Sequence, residues 1–170
     1  AQMEPLALGW LDGAIGVDFG ASDEHPSAVA VVMQDTLGRM WIREGWSDTG
    51  GNLAKIETTV EHFKRKYKVY KGRVDPHQSV LAQRLNLNVA IGGSTAGAPT
   101  EFRIGIANGI IEDGYLWFDA DAPGVYDIWT SMRAMRRKRD ARGRLVYGRD
   151  IGDDPGQAVL YALEELRGDP

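Results

Sequence analysis

The sequence predicts an α/β domain whose central mixed sheet combines an antiparallel meander with parallel strands and is flanked by helices. Three short apolar segments rich in β-branched residues come first, and helical and extended patterns alternate after them. The composition agrees, because 43% hydrophobic and 26% charged residues in a chain of 170 suit one globular domain with a full core. Residues 1–13, with Pro5 and two glycines, predict a connector from an upstream domain, which leaves 14–170 as the folded unit.

The meander is predicted from three segments in the first part of the chain. Ala14–Phe19 is short and apolar, and Ser27–Met33 is a β-branched run typical of a buried strand. A turn at Asp35–Arg39 contains Gly38, and Met40–Trp46 is expected to be the returning strand. Three consecutive strands joined in this way favour antiparallel pairing.

Helices and strands alternate in the rest of the sequence. Leu53, Ile56, Val60 and Phe63 recur at helical spacing, so Leu53–Tyr67 is predicted to be an amphipathic helix. Further strands are expected at 68–75, 87–91 and 115–118, and further helices at 78–85, 100–113, 123–139 and 158–166. Asp154 followed by Pro155 is a strong start signal for the last helix.

Several classes of protein are excluded by composition. No apolar run approaches the ~20 residues that a membrane span needs, and the first residues lack the pattern of a secretory signal. The absence of cysteine excludes disulfides and thiolate metal sites. The net charge of −4 argues against a uniformly basic surface. The tryptophans at 41, 46, 117 and 129 are expected to be in the core or partly buried.

Three aspartates occupy positions that suggest a common site. Asp18 ends an apolar strand, Asp75 ends a later one, and Asp153 and Asp154 precede the last helix. Carboxyl ends of strands form the usual site edge of α/β sheets, and clustered carboxylates favour Mg²⁺ or Mn²⁺. For each aspartate alone we favour a turn or a helix cap, so the hypothesis depends on all three together.

These blocks resemble a known family. Gly16-Val17-Asp18-Phe19-Gly20, Gly72-Arg73-Val74-Asp75-Pro76, and Asp153-Asp154 with Gln157–Leu163 are similar, in order and spacing, to the C-terminal nuclease domain of the large terminase subunit of tailed bacteriophages. The resemblance implies a ribonuclease H-like fold and an endonuclease that cleaves double-stranded DNA during viral genome packaging. It implies that Asp18, Asp75 and Asp154 bind one or two Mg²⁺ or Mn²⁺ ions, with Asp153 as an auxiliary ligand, and that a metal-activated water attacks the phosphodiester.

The resemblance also implies partners and a location. The partners are double-stranded DNA, an ATPase domain in the full-length protein, the small terminase subunit and the portal. The expected location is the host cytoplasm, and no membrane is expected to be involved. The phosphate-binding motif GxxxxGK[ST] of such an ATPase domain does not occur in this sequence. Many relatives carry a further acid one helical turn into the last block, where this chain has Gln157, and an amide is a poorer cation ligand.

A basic run is the predicted DNA contact. It comprises Arg133, Arg136, Arg137, Lys138, Arg139, Arg142, Arg144 and Arg149, against one acid, Asp140. Phosphate binding and a merely solvated helix face are both compatible with it. His77, His25 and the loop 92–99 are more typical of surface residues than of a site.

Other functions remain open from the sequence alone. Strand–Asp–Phe–Gly also begins the ATP-binding lobe of actin-like ATPases and sugar kinases. A non-catalytic DNA-binding module, or a junction resolvase or transposase core, is a further alternative on the same fold.

Overall fold

A computed structural model of the chain describes residues 9–20, 26–49, 52–92, 98–134, 136–139, 142, 145–148 and 154–167. The strands are β1 (Trp10–Asp18), β2 (Ser27–Asp35), β3 (Met40–Asp48), β4 (Gly72–Val74), β5 (Asn88–Val89), β6 (Leu116–Phe118), β7 (Arg136–Arg139) and β8 (Leu145–Gly148). The helices are α1 (Leu53–Tyr67), α2 (Ser79–Leu85), α3 (Ala98–Glu112), α4 (Val125–Ala134) and α5 (Asp154–Arg167).

The main sheet has the strand order β5-β4-β1-β2-β3-β6. β1, β2 and β3 form the predicted antiparallel meander. β4 is parallel to β1, β5 is parallel to β4, and β6 is parallel to β3. This mixed sheet with helices on its faces confirms the predicted fold class. No helix among the described residues is both long and apolar enough to cross a membrane.

Two strands differ in length from the prediction. β1 begins at Trp10, within the segment that we expected to be a connector, because its first residues pair with the end of β2. The strand predicted at 68–75 is reduced to Gly72–Val74. Lys68 has a φ of 55° and caps α1 in the left-handed conformation, so the extended strand cannot start there.

The helix predicted to run to Arg139 is wrong. Gly124, with a φ of +74°, delays the start of α4 to Val125, and the helix ends at Ala134. The basic residues 136–139 form β7, which pairs antiparallel with β8 in a separate two-stranded sheet. The buried stripe of α4 has no apolar continuation in this basic run, so strand pairing replaces the helix there.

The two faces of the meander are covered by different helices. Ala14 and other residues facing one side pack with the buried residues of α3, α4 and α5. Ile15 and Val17 face the opposite side, where they pack with Ile56, Val60 and Phe63 of α1 and with α2. This alternation follows the two-residue period of a strand.

β1 and α5 are in direct backbone contact. A Cβ atom added to Gly16 would lie 1.7 Å from the carbonyl oxygen of Ala158. Glycine therefore lets α5 lie close over β1 and β4. This packing fixes α5 against the strands that carry Asp18 and Asp75.

Candidate metal centre

Asp18 and Asp75 are brought together at the carboxyl edge of the sheet. β1 and β4 are parallel with Val17 opposite Val74, so the next residues along the two strands are Asp18 and Asp75. Asp18 is 0% exposed, and Asp75 is partly buried. The backbone N–H of Phe19 donates to Asp75 Oδ2 at 3.0 Å, which holds this carboxylate against the end of β1. Two of the three predicted metal ligands are therefore neighbours.

Ser27 fixes the backbone directly after Asp18. The N–H of Gly20 donates to Ser27 Oγ, and the hydroxyl of Ser27 donates back to the carbonyl oxygen of Gly20, both at 3.0 Å. Ser27 is buried at the start of β2. Ser27 begins the second predicted strand, but its clamping role becomes apparent only from the structure.

The third predicted ligand comes from the start of α5. The helix begins at Asp154, as its Asp-Pro start signal predicts. The N–H of Gly156 donates to the buried hydroxyl of Ser131 in α4 at 2.9 Å, so α4 holds the first turn of α5. Asp153 and the side chain of Asp154 lie outside the described residues, and their roles as ligands remain predictions.

The donor set at this edge fits a divalent cation. Carboxylate oxygens are hard ligands of the kind that Mg²⁺ and Mn²⁺ prefer. A carboxylate as buried as that of Asp18 is costly to ionise unless nearby groups or a cation compensate its charge. Within the described ranges, no group of three or more histidine or acidic side chains is close enough to form a complete metal site.

The basic run is only partly described. Arg133 is exposed at the end of α4, and Arg142 is exposed in a turn. The backbone of Arg136, Arg137, Lys138 and Arg139 forms β7, while Arg144 and Arg149 lie outside the described residues. DNA binding by this run remains a prediction. His77 is exposed, as expected, and His25 is outside the described residues.

An ionic network that sequence reasoning missed links β4 to α5. Arg73 contacts Glu164 at 2.8 Å and Glu165 at 2.5 Å, and Arg103 of α3 contacts Glu164 at 3.2 Å. Glu164 also accepts from the N–H of Ile91 at 3.1 Å. Burial lowers the pKa of Arg73, but the hydrogen bonds that it donates to the two glutamates, together with their negative charge, outweigh this effect and raise it. The sequence feature that could have indicated this network is the pair of adjacent glutamates in an otherwise largely apolar helix.

Comparisons with solved structures show proteins with the same fold. The chain is similar to the large terminase nuclease of thermophilic phage G20c, with 19% identity, a TM-score of 0.69 and coverage of 91% of this chain and 82% of that one. It is similar to the g2p (large terminase) nuclease domain of bacteriophage SPP1, with 17% identity, a TM-score of 0.61 and coverage of 92% and 87%. For the P22 large terminase nuclease domain the identity is 16%, the TM-score 0.56 and the coverage 98% and 95%.

The sequence itself identifies the family. No curated protein matches it significantly. The model of the terminase RNaseH-like domain, however, matches residues 15–165, a span that includes Asp18, Asp75 and the contact between Gly16 and α5. The chain therefore belongs to the terminase RNaseH-like domain family.

Proposed function

We propose that this chain is a metal-dependent endonuclease domain that cleaves double-stranded DNA during viral genome packaging. The supporting observation is the pairing of Asp18, fully buried, with Asp75 on the adjacent parallel strand. Asp18, Asp75 and Asp154 would hold one or two divalent ions, with Asp153 as an auxiliary ligand. The membership in the terminase RNaseH-like family supports this function over an ATP-binding lobe.

The metal assignment has support from relatives with the same fold. The SPP1 nuclease domain has been solved with bound Mn, and the G20c nuclease with bound magnesium, cobalt and zinc. We propose Mg²⁺ or Mn²⁺ for this chain, because its candidate ligands are carboxylates. A bound ion of this kind supplies an activated water and neutralises charge that develops on the phosphate.

The residues of the chain have separate tasks in this proposal. Asp18 and Asp75 provide oxygen ligands, and the Phe19 N–H and the Ser27 clamp keep both at fixed positions at the end of β1. Ser131 holds the turn that carries Asp154. No side chain needs to act as a covalent nucleophile. The basic residues 133–144 would contact phosphates, so sequence preference should be slight.

The family membership supports a proposal about the neighbouring domain and the partners of this chain. In the complete protein we propose an ATPase domain beside this one, with the small terminase subunit and the portal as partners in the host cytoplasm.

Plasmid cleavage tests the proposal. We expect the wild-type chain to nick and linearise plasmid DNA with Mg²⁺ or Mn²⁺ and to be inactive in EDTA. Asp18→Asn and Asp75→Asn should each lower the rate by more than about 100-fold, since a lost ligand removes several kcal/mol of charge stabilisation. Asp113→Asn, in an exposed turn after α3, is the matched control and should cleave normally. Undiminished cleavage by both active-site variants would refute the proposal.

A further inference from the structure

Helix α4 has two chemically different faces. Val125, Ile128 and Ser131 are buried. Tyr126, Trp129 and Arg133 are spaced by three and four residues, so they share one stripe of the helix surface, and all three are exposed. We expected Trp129 to be at least partly buried, but it is 39% exposed and Tyr126 is 71% exposed. The stripe is therefore an accessible aromatic surface.

The three side chains of this stripe are neighbours. The ring centroids of Tyr126 and Trp129 are 6.0 Å apart, with 34° between the ring planes. The guanidinium carbon of Arg133 lies 4.6 Å from the centroid of the Trp129 ring. Such contacts restrict the side chains before any ligand arrives, which reduces the entropy lost on binding.

The stripe lies on the side of α4 that is turned away from α5. Ser131, on the opposite face of the helix, accepts a hydrogen bond from the N–H of Gly156, two residues after Asp154. After α4 the chain continues into β7, which consists of four consecutive basic residues. Residues 133–149 contain eight basic side chains and one acid. A strongly basic segment therefore follows the aromatic stripe along the chain.

Charge complementarity decides what this face binds. Exposed aromatic rings alone would suit many partners, but the adjacent positive charge favours a polyanion. Nucleic-acid bases stack on aromatic side chains, whereas bases in an intact duplex are already stacked on each other. We propose that the exposed face of α4 binds a single strand of nucleic acid, with bases on Tyr126 and Trp129 and a phosphate at Arg133.

This inference rests on the proposed nuclease function and extends it to the form of the substrate. Contacts to the backbone of a duplex do not require exposed aromatic rings. A surface on which bases can stack would instead engage a frayed or displaced strand of the substrate.

Binding to an oligonucleotide tests the inference without cleavage. Fluorescence anisotropy would measure binding of a labelled oligothymidylate of about 16 nucleotides, long enough to span such a site. A duplex of equal length would be measured in parallel, and EDTA would prevent cleavage of both. Trp129→Ala should bind the single strand about tenfold more weakly, and Tyr126→Ala should also weaken it. Trp129→Phe keeps an aromatic ring and should restore most of the affinity. Duplex binding should change by less than about twofold in all three variants.

Tyr70→Ala is the matched control, because Tyr70 is also highly exposed, at 64%, but precedes β4 at the opposite end from Asp75. It should bind like the wild type. Circular dichroism would establish that every variant is folded.

Three results of the binding experiment would overturn the inference. They are wild-type affinity in both alanine variants, an equal loss for single strand and duplex, and a wild-type chain that does not bind the oligothymidylate. A wild-type chain that cleaves plasmid DNA but fails this binding test would refute the stacking surface and leave the nuclease proposal intact. Self-association that Tyr126→Ala abolishes would also overturn it, because a second copy would then cover the face.

Discussion

Gly16 and Asp18 lie two residues apart on β1, and different neighbours constrain them. Gly16 allows α5 to contact the strand backbone, while Asp18 is buried beside the parallel strand that leads to Asp75. The candidate metal centre therefore depends on glycine at position 16, because a side chain there would push α5 away from β1.

Replacing Gly16 with alanine should destabilise the protein severely. The new Cβ would meet the carbonyl oxygen of Ala158, which belongs to the helix backbone and cannot rotate away. We expect a loss of about 3 kcal/mol or more in the free energy of unfolding, measured in urea. Gly105→Ala is the control, since nothing lies within 4 Å of its added Cβ, and it should stabilise α3 by up to about 1 kcal/mol. Equal stability of the Gly16 variant and the wild type would contradict the observed packing.

Asp35 is a structural carboxylate in the turn between β2 and β3. It accepts hydrogen bonds from the Leu37 and Arg39 N–H groups at 2.9 Å, from Arg39 Nε at 2.6 Å and from Trp41 Nε1 at 2.9 Å. Burial raises the pKa of Asp35, but these hydrogen bonds outweigh burial and lower the pKa below its ordinary value of 3.8. The ionised form therefore stabilises the fold.

This arrangement predicts how stability depends on pH. Because the pKa of Asp35 is lower in the folded chain, its contribution is fully present above about pH 5 and is lost as the pH falls through 3.8 and below. Asp35→Asn should cost about 3 kcal/mol at pH 7, because the buried Arg39 loses its ionic partner. The difference between the midpoints of thermal unfolding of the variant and the wild type should narrow toward pH 3. A difference that stays constant with pH would show that the carboxylate charge does not stabilise the fold.

Single residues were predictable from sequence when their chemistry clashed with their local pattern. Asp18 was predicted because a charge ends an apolar strand, and Asp75 because it repeats that position; the structure places the two at the ends of adjacent parallel strands. Glu164 was missed, since its partners Arg73 and Arg103 come from β4 and α3, distant segments that only the fold brings together. Ser131 was missed for the same reason.

At the level of elements, α5 connects most parts of the site. Its first turn is held by Ser131, its middle packs on Gly16, and Glu164 and Glu165 tie its last turns to Arg73. The position of Asp154 relative to Asp18 and Asp75 is thus set by contacts along the whole helix.

Removing the Ser131 hydroxyl should loosen the start of α5. We expect Ser131→Ala to lose about 1 kcal/mol of stability and to need up to about tenfold more Mn²⁺ for half-maximal plasmid cleavage. Thr58→Ala is a suitable control, because Thr58 is exposed and its hydroxyl donates to the carbonyl oxygen of Ala54 in the same helix. If Ser131 were only structural, the variant would lose stability but would need no more Mn²⁺ than the wild type. That outcome would contradict a role for Ser131 in positioning the metal ligands.

Helices with a clear apolar period were predictable, and elements fixed by distant partners were not. The bounds of α1 agree with the prediction because Ile56, Val60 and Phe63 mark its buried face. Strand β7 was taken for the end of a helix, since a run of arginine and lysine has no period and pairing with β8 decides its conformation. β4 was overestimated because the left-handed Lys68 leaves no signature in the sequence.

For the whole molecule, metal binding and folding should be linked. Buried carboxylates held next to each other favour a bound cation, so Mn²⁺ should stabilise the folded state by about 2.7 kcal/mol at 100 times its dissociation constant. We expect a rise of about 5–10 °C in the midpoint of thermal unfolding of the wild type. Asp18→Asn should show little of this rise, while the Asp113→Asn control should keep it. An equal rise in all three proteins would place the cation elsewhere.

The most direct measurement is a crystal structure of the wild-type chain soaked in Mn²⁺, with the ions located by anomalous scattering. Our account predicts an ion within about 2–2.5 Å of carboxylate oxygens of both Asp18 and Asp75, with a further ligand from Asp153 or Asp154. Ions bound only elsewhere, in crystals of a chain that still cleaves DNA with Mn²⁺, would contradict it.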